Sequence, residues 1–259
     1  MPVYGQFFFH DAPRHAEIEF SGDGEIAHFI EDLFHNPTRS GHSARVEELQ
    51  ILPPVAPRKL FAIGLNYAAH AAEHGNQLPE NPLMWFKAPT ALLAHGGEIE
   101  IAFPAHKTDF EAELALVIGK GGKGISEADA HDHIFGITPA QDISDRVIQR
   151  GESQWARAKS LDTYAPLGPY IYTGLDLANL SVQTLLNGEV RQDGHTREMI
   201  FSPARLISFL SQAITLEAGD VILTGTPEGV GPLSDGDELE TRIGDMKPLR
   251  NSVRFVSMA

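Results

Sequence analysis

Lys107-Thr-Asp-Phe-Glu-Ala-Glu-Leu-Ala-Leu-Val-Ile-Gly119 sets three carboxylates at alternate positions and then runs into an apolar strand. A β-strand turns successive side chains to opposite faces, so Asp109, Glu111 and Glu113 share one face. Phe110, Ala112, Leu114, Leu116 and Ile118 make the other. Same-face neighbours stand about 6.6 Å apart at the backbone, near enough for Glu111 and Glu113 to converge on one divalent cation. An amphipathic strand with a solvated polar face is the competing reading. Against it, the same-face positions beyond Glu113 are Ala115 and Val117, which puts the glutamates at the mouth of a pocket. Like charges gathered this way cost free energy unless something positive sits between them.

The whole chain limits what that positive group can be. Among its 259 residues there is no cysteine, so disulfides and thiolate metal sites are excluded and any metal is held by oxygen or imidazole. A net charge of −15 with no long basic run argues against nucleic acid or an anionic membrane as partner. No apolar stretch approaches a membrane span, and no basic-then-apolar leader opens the sequence, so a soluble, cytoplasmic protein is expected.

Upstream, residues 1–55 read as a small N-terminal α+β domain. Strands are expected over Val3–Phe9 and Glu17–Phe20. Helical spacing of Ile26, Phe29, Ile30 and Leu33 predicts a helix over Glu25–Phe34. The proline-rich run Ile51–Pro57 then punctuates the chain and opens a second domain, 56–259. Lys59–Gly64 reads as a buried strand. Asn66–His74 follows as a short helix, with Asn66 as N-cap and Gly75 as its stop. Gly75–Asn81 has the composition of a mobile surface loop. Downstream, short strands alternate with Gly and Pro turns around one helix, Ser202–Ala213, which argues for a closed or sandwiched, mostly β architecture.

Four further segments carry chemistry. His70 and Glu73, at i and i+3 on the short helix, can hydrogen-bond, leaving the other imidazole nitrogen to take a proton from water. His74 is a rival partner for His70, and a plain surface pair is the bland alternative. Asp142 follows the apolar run Ile134–Ala140 at a strand end and reads either as a turn or cap residue or as a third carboxylate ligand. Lys159 either stabilises an enolate or carboxylate or pairs with a surface acid. Thr224–Pro232 is a turn-dense loop whose N–H groups and hydroxyls can hold an anion.

Taken in order, these segments resemble the fumarylacetoacetate hydrolase family over nearly all of residues 57–255. The resemblance rests on Asn66-Tyr-x-x-His70-x-x-Glu73, Asp109-Phe-Glu111-Ala-Glu113, Asp142-x-Ser144-x-Arg146-x-x-Gln149 and Lys159-Ser-Leu-Asp162. It continues through Asn187–Gly194, Met199–Ser202 and Thr224–Gly231. It implies a mixed β-roll, sandwich- or barrel-like, usually in a homodimer. It also implies Mg²⁺ or Mn²⁺ on Glu111, Glu113 and Asp142, with Ca²⁺ as a non-productive occupant, and Asp109 reduced to a supporting role. His70 and Glu73 would activate water beneath a closing lid, Lys159 would sit beside the metal, and Arg146, Gln149 and Thr226 would contact substrate. The activity implied is hydrolysis of a C–C bond in a 2,4-dioxo acid of the acylpyruvate or fumarylpyruvate type. Decarboxylation, tautomerisation or dehydration of a small 2-oxo acid through an enolate is the alternative. Asp145, where the family commonly has Ala, and Leu65, where acylpyruvase-like members can carry Arg, depart from the pattern and bear on substrate identity.

Overall fold

A computed structural model describes residues 1–73, 75 and 77–256. The chain is mostly β, a multi-sheet arrangement with no closed barrel among the described residues. Its strands are β1 (Val3–Phe9), β2 (Ala12–Ser21), β3 (Gly24–Asp32), β4 (Asn36–Arg45), β5 (Gln50–Leu52), β6 (Leu60–Gly64) and β7 (Leu83–Lys87). Next come β8 (Leu92–Leu93), β9 (Glu98–Ile101), β10 (Thr108–Phe110), β11 (Ala112–Ile118), β12 (Ile134–Gln141), β13 (Ser144–Asp145), β14 (Ala165–Pro166) and β15 (Tyr170–Tyr172). The last are β16 (Ser181–Leu186), β17 (Glu189–His195), β18 (Val221–Leu223), β19 (Gly231–Pro232), β20 (Glu238–Ile243) and β21 (Leu249–Phe255). The α-helices are α1 (Ala68–Glu73), α2 (Arg146–Gly151) and α3 (Pro203–Ser211).

The main sheet runs β4-β3-β2-β1-β15-β12-β11-β18-β6-β7, with β5 also paired to β1. The first strands therefore continue the same sheet through the antiparallel pairing of β1 with β15, Tyr4 opposite Ile171. A second sheet, β17-β16-β20-β21-β9, packs on it. Leu114, Leu116 and Ile118 of β11 meet Val182 and Ile243 of that second sheet, together with Leu206, Ile207 and Leu210 of α3. The opposite face of β11, Ala115 and Val117, is equally buried, against Leu60, Ala62 and Leu223. A strand apolar on both sides is what a central position between two layers requires.

The stretch Lys107–Gly119 is not one strand. β10 pairs with β13 and β19, whereas β11 pairs with β12 and β18, and the chain changes sheet at Glu111. There the Glu111 N–H donates to the side-chain oxygen of Gln141 at 2.8 Å, and the Glu111 carbonyl accepts from the Asp142 N–H at 3.0 Å. The crossing brings Asp142 beside the two glutamates.

Two local expectations are corrected. Gly24–Asp32 is a strand, not a helix, and among the described residues 1–55 hold strands and a 3₁₀ turn at Val46–Glu48. Ala27 and Phe29 point into one apolar cluster. The ladder with β4 shifts register between His28 and Ile30, which delivers Ile30 and Leu33 to another. A bulge of this kind inserts a residue into the period-2 alternation and so imitates helical spacing. Asn66 is also not a side-chain cap of α1. Its amide nitrogen donates to the carbonyls of Phe201 (3.1 Å) and Thr224 (2.7 Å), and its oxygen accepts from the Phe201 N–H at 2.7 Å. Helix α3 starts as its sequence predicts, with Ser202 accepting from the Arg205 N–H and Pro203 in the first turn. No helix among the described residues is long and apolar enough to cross a membrane.

Candidate active site

A cavity of about 240 Å³ opens where β6, the β10–β11 crossing and α2 meet. Its walls include Glu111, Glu113, Lys159, His70, Arg146, Gln149 and Thr226, so the crossing, α1, α2 and the Thr224–Pro232 loop all reach one space. Glu111, Glu113 and Asp142 are buried, and one oxygen of each lies within 4.8 Å of the others. His74, the rival partner for His70, lies outside the described residues.

Two of these carboxylates share one cation, and the third does not. Glu111 accepts from Arg146 Nη2 through Oε1 at 2.6 Å and from Lys159 Nζ through Oε2 at 2.8 Å. Asp142 accepts from Lys159 Nζ at 2.8 Å and from the Lys87 ammonium through its other oxygen. Glu113 accepts, among the described residues, one backbone N–H, that of Gly225, at 2.6 Å. Asp109 pairs with Arg146 Nε at 2.8 Å, on the outer side of the same guanidinium.

The electrostatics follow from these partners. Burial works to raise the Glu111 carboxyl, but the Lys159 and Arg146 cations outweigh it and hold the group below the usual carboxylate range. Glu113 goes the other way: burial, then the charges of Asp142 and Glu111, push it well above that range. Burial draws Lys87 down, although Asp142 opposes it, whereas Asp142 and Glu111 overcome burial and raise Lys159. Four buried carboxylates, Asp109, Glu111, Glu113 and Asp142, thus face three buried cations, Lys87, Arg146 and Lys159. The group carries net charge −1 when all are ionised, and a divalent cation would turn it to +1, suited to an anionic ligand. Three convergent carboxylates form an all-oxygen donor set that fits a hard divalent cation.

The other expected residues are here too. His70 Nδ1 stands 3.6 Å from Glu73 Oε2, with the imidazole buried and the carboxylate at the rim. Glu73 also accepts the Gly229 N–H at 3.3 Å, linking α1 to the glycine-rich loop. Lys159 gives its three ammonium hydrogens to Glu111, Asp142 and Ser144 Oγ (2.7 Å), so it holds two of the acids in place. The Thr226 hydroxyl donates to the Ala112 carbonyl at 2.8 Å and accepts from Gln192 Nε2 at 2.8 Å.

Asp145 does not reach an arginine side chain. It caps α2, accepting from the N–H groups of Val147 and Ile148 at 2.9 Å, and its other oxygen meets His106 Nδ1 at 2.7 Å. Leu65 lines the cavity in a left-handed backbone conformation, φ 55°. Sequence reasoning missed Lys87, although strand alternation from Trp85 puts it on the same inward face. It also gave no role to Gln141 and Gln192, whose amides brace Glu111 and Thr226.

The family model for the fumarylacetoacetate (FAA) hydrolase C-terminal domain matches residues 59–254, and the chain belongs to that family. An Archaeoglobus fulgidus protein is 42% identical over 91% of this chain and 90% of its own length. The Bacillus subtilis protein named oxaloacetate tautomerase YisK is 40% identical, over 77% of this chain and 71% of its own. The crystal structure of 5-carboxymethyl-2-hydroxymuconate delta-isomerase from Mycobacterium smegmatis superposes with TM-score 0.92 at 38% identity, covering 99% of this chain and 100% of that one. The fold is that of the family, whose relatives similar to this chain include proteins named as tautomerases and isomerases and one named fumarylacetoacetate hydrolase, from Exiguobacterium antarcticum, at TM-score 0.82 and 29% identity.

Proposed function

We infer that this protein is a divalent-metal-dependent enzyme that moves a proton at the carbon beside the carbonyl of a small 2-oxo acid, a tautomerase or isomerase. The observation that carries this reading is the sharing of one cavity by His70, Glu111, Glu113 and Lys159, with Asp142 grouped against the two glutamates. The names of the B. subtilis and M. smegmatis relatives support it. Mg²⁺ or Mn²⁺ held by the three carboxylates would supply Lewis acidity toward the 2-oxo carbonyl.

The chain's own groups do the rest. His70 takes the proton from the carbon and returns it, with Glu73 fixing the ring. Lys159 and Lys87 keep Glu111 and Asp142 aimed. Arg146, bridging Asp109 and Glu111, fixes the wall on which Gln149 faces the substrate. Trp85 and Trp155, packed edge to face at 5.3 Å between centroids, exclude water from one side. The homodimer that the resemblance implies belongs to the same reading.

Hydrolysis of an acylpyruvate-type C–C bond is the second reading, favoured by the His70–Glu73 pair, which would equally deprotonate a water. The two separate on products. With Mn²⁺ and D₂O, NMR of oxaloacetate and acetylpyruvate shows solvent deuterium entering C3 with the carbon skeleton intact if proton transfer is the reaction. Release of pyruvate and acetate from acetylpyruvate, without exchange in oxaloacetate, would establish the hydrolase instead. Pyruvate and CO₂ from oxaloacetate would mark a decarboxylase.

A further inference from the structure

The cations around the cavity are not equivalent. Lys159 and Arg146 are bound to buried acids of the protein. Arg150 also lines the cavity, and among the described residues it makes no hydrogen bond or ion pair. It lies four residues after Arg146 on α2, so the two guanidinium stems rise from the same helix face, with Gln149 between them. Like charges at this spacing repel. Asp109 and Glu111 answer the charge of Arg146, and no described side chain answers that of Arg150. Gln149 Oε1 accepts from Arg146 Nη1 at 2.8 Å, and its amide hydrogens make no bond among the described residues. One wall of the cavity thus presents an amide donor and an exposed guanidinium, set apart from the carboxylate cluster.

We propose that Arg150, with the Gln149 amide beside it, is the residue that binds the second carboxylate when the 2-oxo acid is a dicarboxylate. The 2-oxo acid end lies at the Glu111–Glu113–Asp142 cluster and the far carboxylate meets the Arg150 fork, which suits a carboxylate in bidentate geometry. Trp85 and Trp155 line the same cavity. The inference rests on the proposed function for the position of the 2-oxo end, and adds the residue that selects a diacid.

The chain's two tryptophans both line the cavity, so their fluorescence reports its occupancy directly. The Mn²⁺-loaded protein is titrated with pyruvate and with 2-oxo diacids of four, five and six carbons, as wild type, Arg150→Gln and Arg150→Lys. In the wild type at least one diacid binds about tenfold or more tighter than pyruvate, the scale of a charged hydrogen-bonded contact. Arg150→Gln abolishes that preference while pyruvate binding stays unchanged, and Arg150→Lys keeps part of it. A wild type without diacid preference, or a variant that loses pyruvate and diacid equally, overturns the assignment of Arg150 and leaves the proposed function standing. A wild type that binds no 2-oxo acid at all overturns the proposed function and this inference with it.

Discussion

Lys159 Nζ donates to Glu111 Oε2 at 2.8 Å, and both groups are buried. The same ammonium reaches Asp142, so one side chain offsets the repulsion between two acids that converge on the cavity. Removing one partner of such a group leaves uncompensated buried charge, at about 3–5 kcal/mol. Lys159→Met is therefore expected to lower the thermal midpoint of the metal-free protein sharply. Saturating Mn²⁺ restores part of it, because the divalent cation replaces the missing charge. Circular dichroism melts with and without Mn²⁺ check this; an equal deficit in both contradicts it.

His70 lines the cavity but is not one of the three carboxylates that converge there. His70→Asn is expected to leave Mn²⁺ affinity within a factor of about two and to lower turnover about 10²–10⁴-fold, the usual weight of a general base. Calorimetry and a turnover assay on one preparation separate the two effects. Turnover at the wild-type level would remove His70 from the mechanism.

Glu113 holds its proton to a higher pH than an ordinary carboxylate, because burial and the neighbouring Asp142 and Glu111 charges raise it. A cation must displace that proton, so Mn²⁺ binding releases one, and affinity falls as the pH is lowered through the raised Glu113 range. Calorimetry in two buffers of different ionisation enthalpy reads the released proton. Binding enthalpy identical in both buffers, with pH-independent affinity, would contradict the charge balance described for the cluster.

Asp145 caps α2 and meets His106, and α2 carries Arg146 and Gln149 into the cavity. Asp145→Ala is expected to cost about 0.5–2 kcal/mol for the lost cap. It should also raise KM more than it lowers kcat, since what loosens is a binding wall. Urea denaturation and steady-state kinetics test the two halves. A stability loss with KM unchanged would leave the cap a purely structural device.

Much of this was legible in the sequence, for reasons that particular residues make plain. Alternating acids at Asp109, Glu111 and Glu113, and a strand apolar on both faces beyond them, mark a central strand with a charged mouth. Their order with Asp142 and Lys159 carried the family. The crossing at Glu111 was not legible, because the Gln141 amide that captures its N–H comes from another strand. Nor was the strand at Gly24–Asp32, whose bulge after His28 gives Ile26, Phe29, Ile30 and Leu33 a false helical period. Asn66 looked like a cap because capping is local chemistry, whereas its real partners, Phe201 and Thr224, are more than a hundred residues away. Arg150 carries no signal of its own in the sequence, and only the cavity that it lines marks it.

The claim on which the rest depends is that Glu111, Glu113 and Asp142 form one divalent-cation site. Electron paramagnetic resonance of free Mn²⁺ in a titration of the purified chain, beside Glu111→Gln, tests it most directly. The prediction is one Mn²⁺ bound per chain, displaced by Mg²⁺ and lost in the variant. A wild-type chain that leaves all Mn²⁺ free, or a variant that binds it with undiminished affinity, would contradict the account.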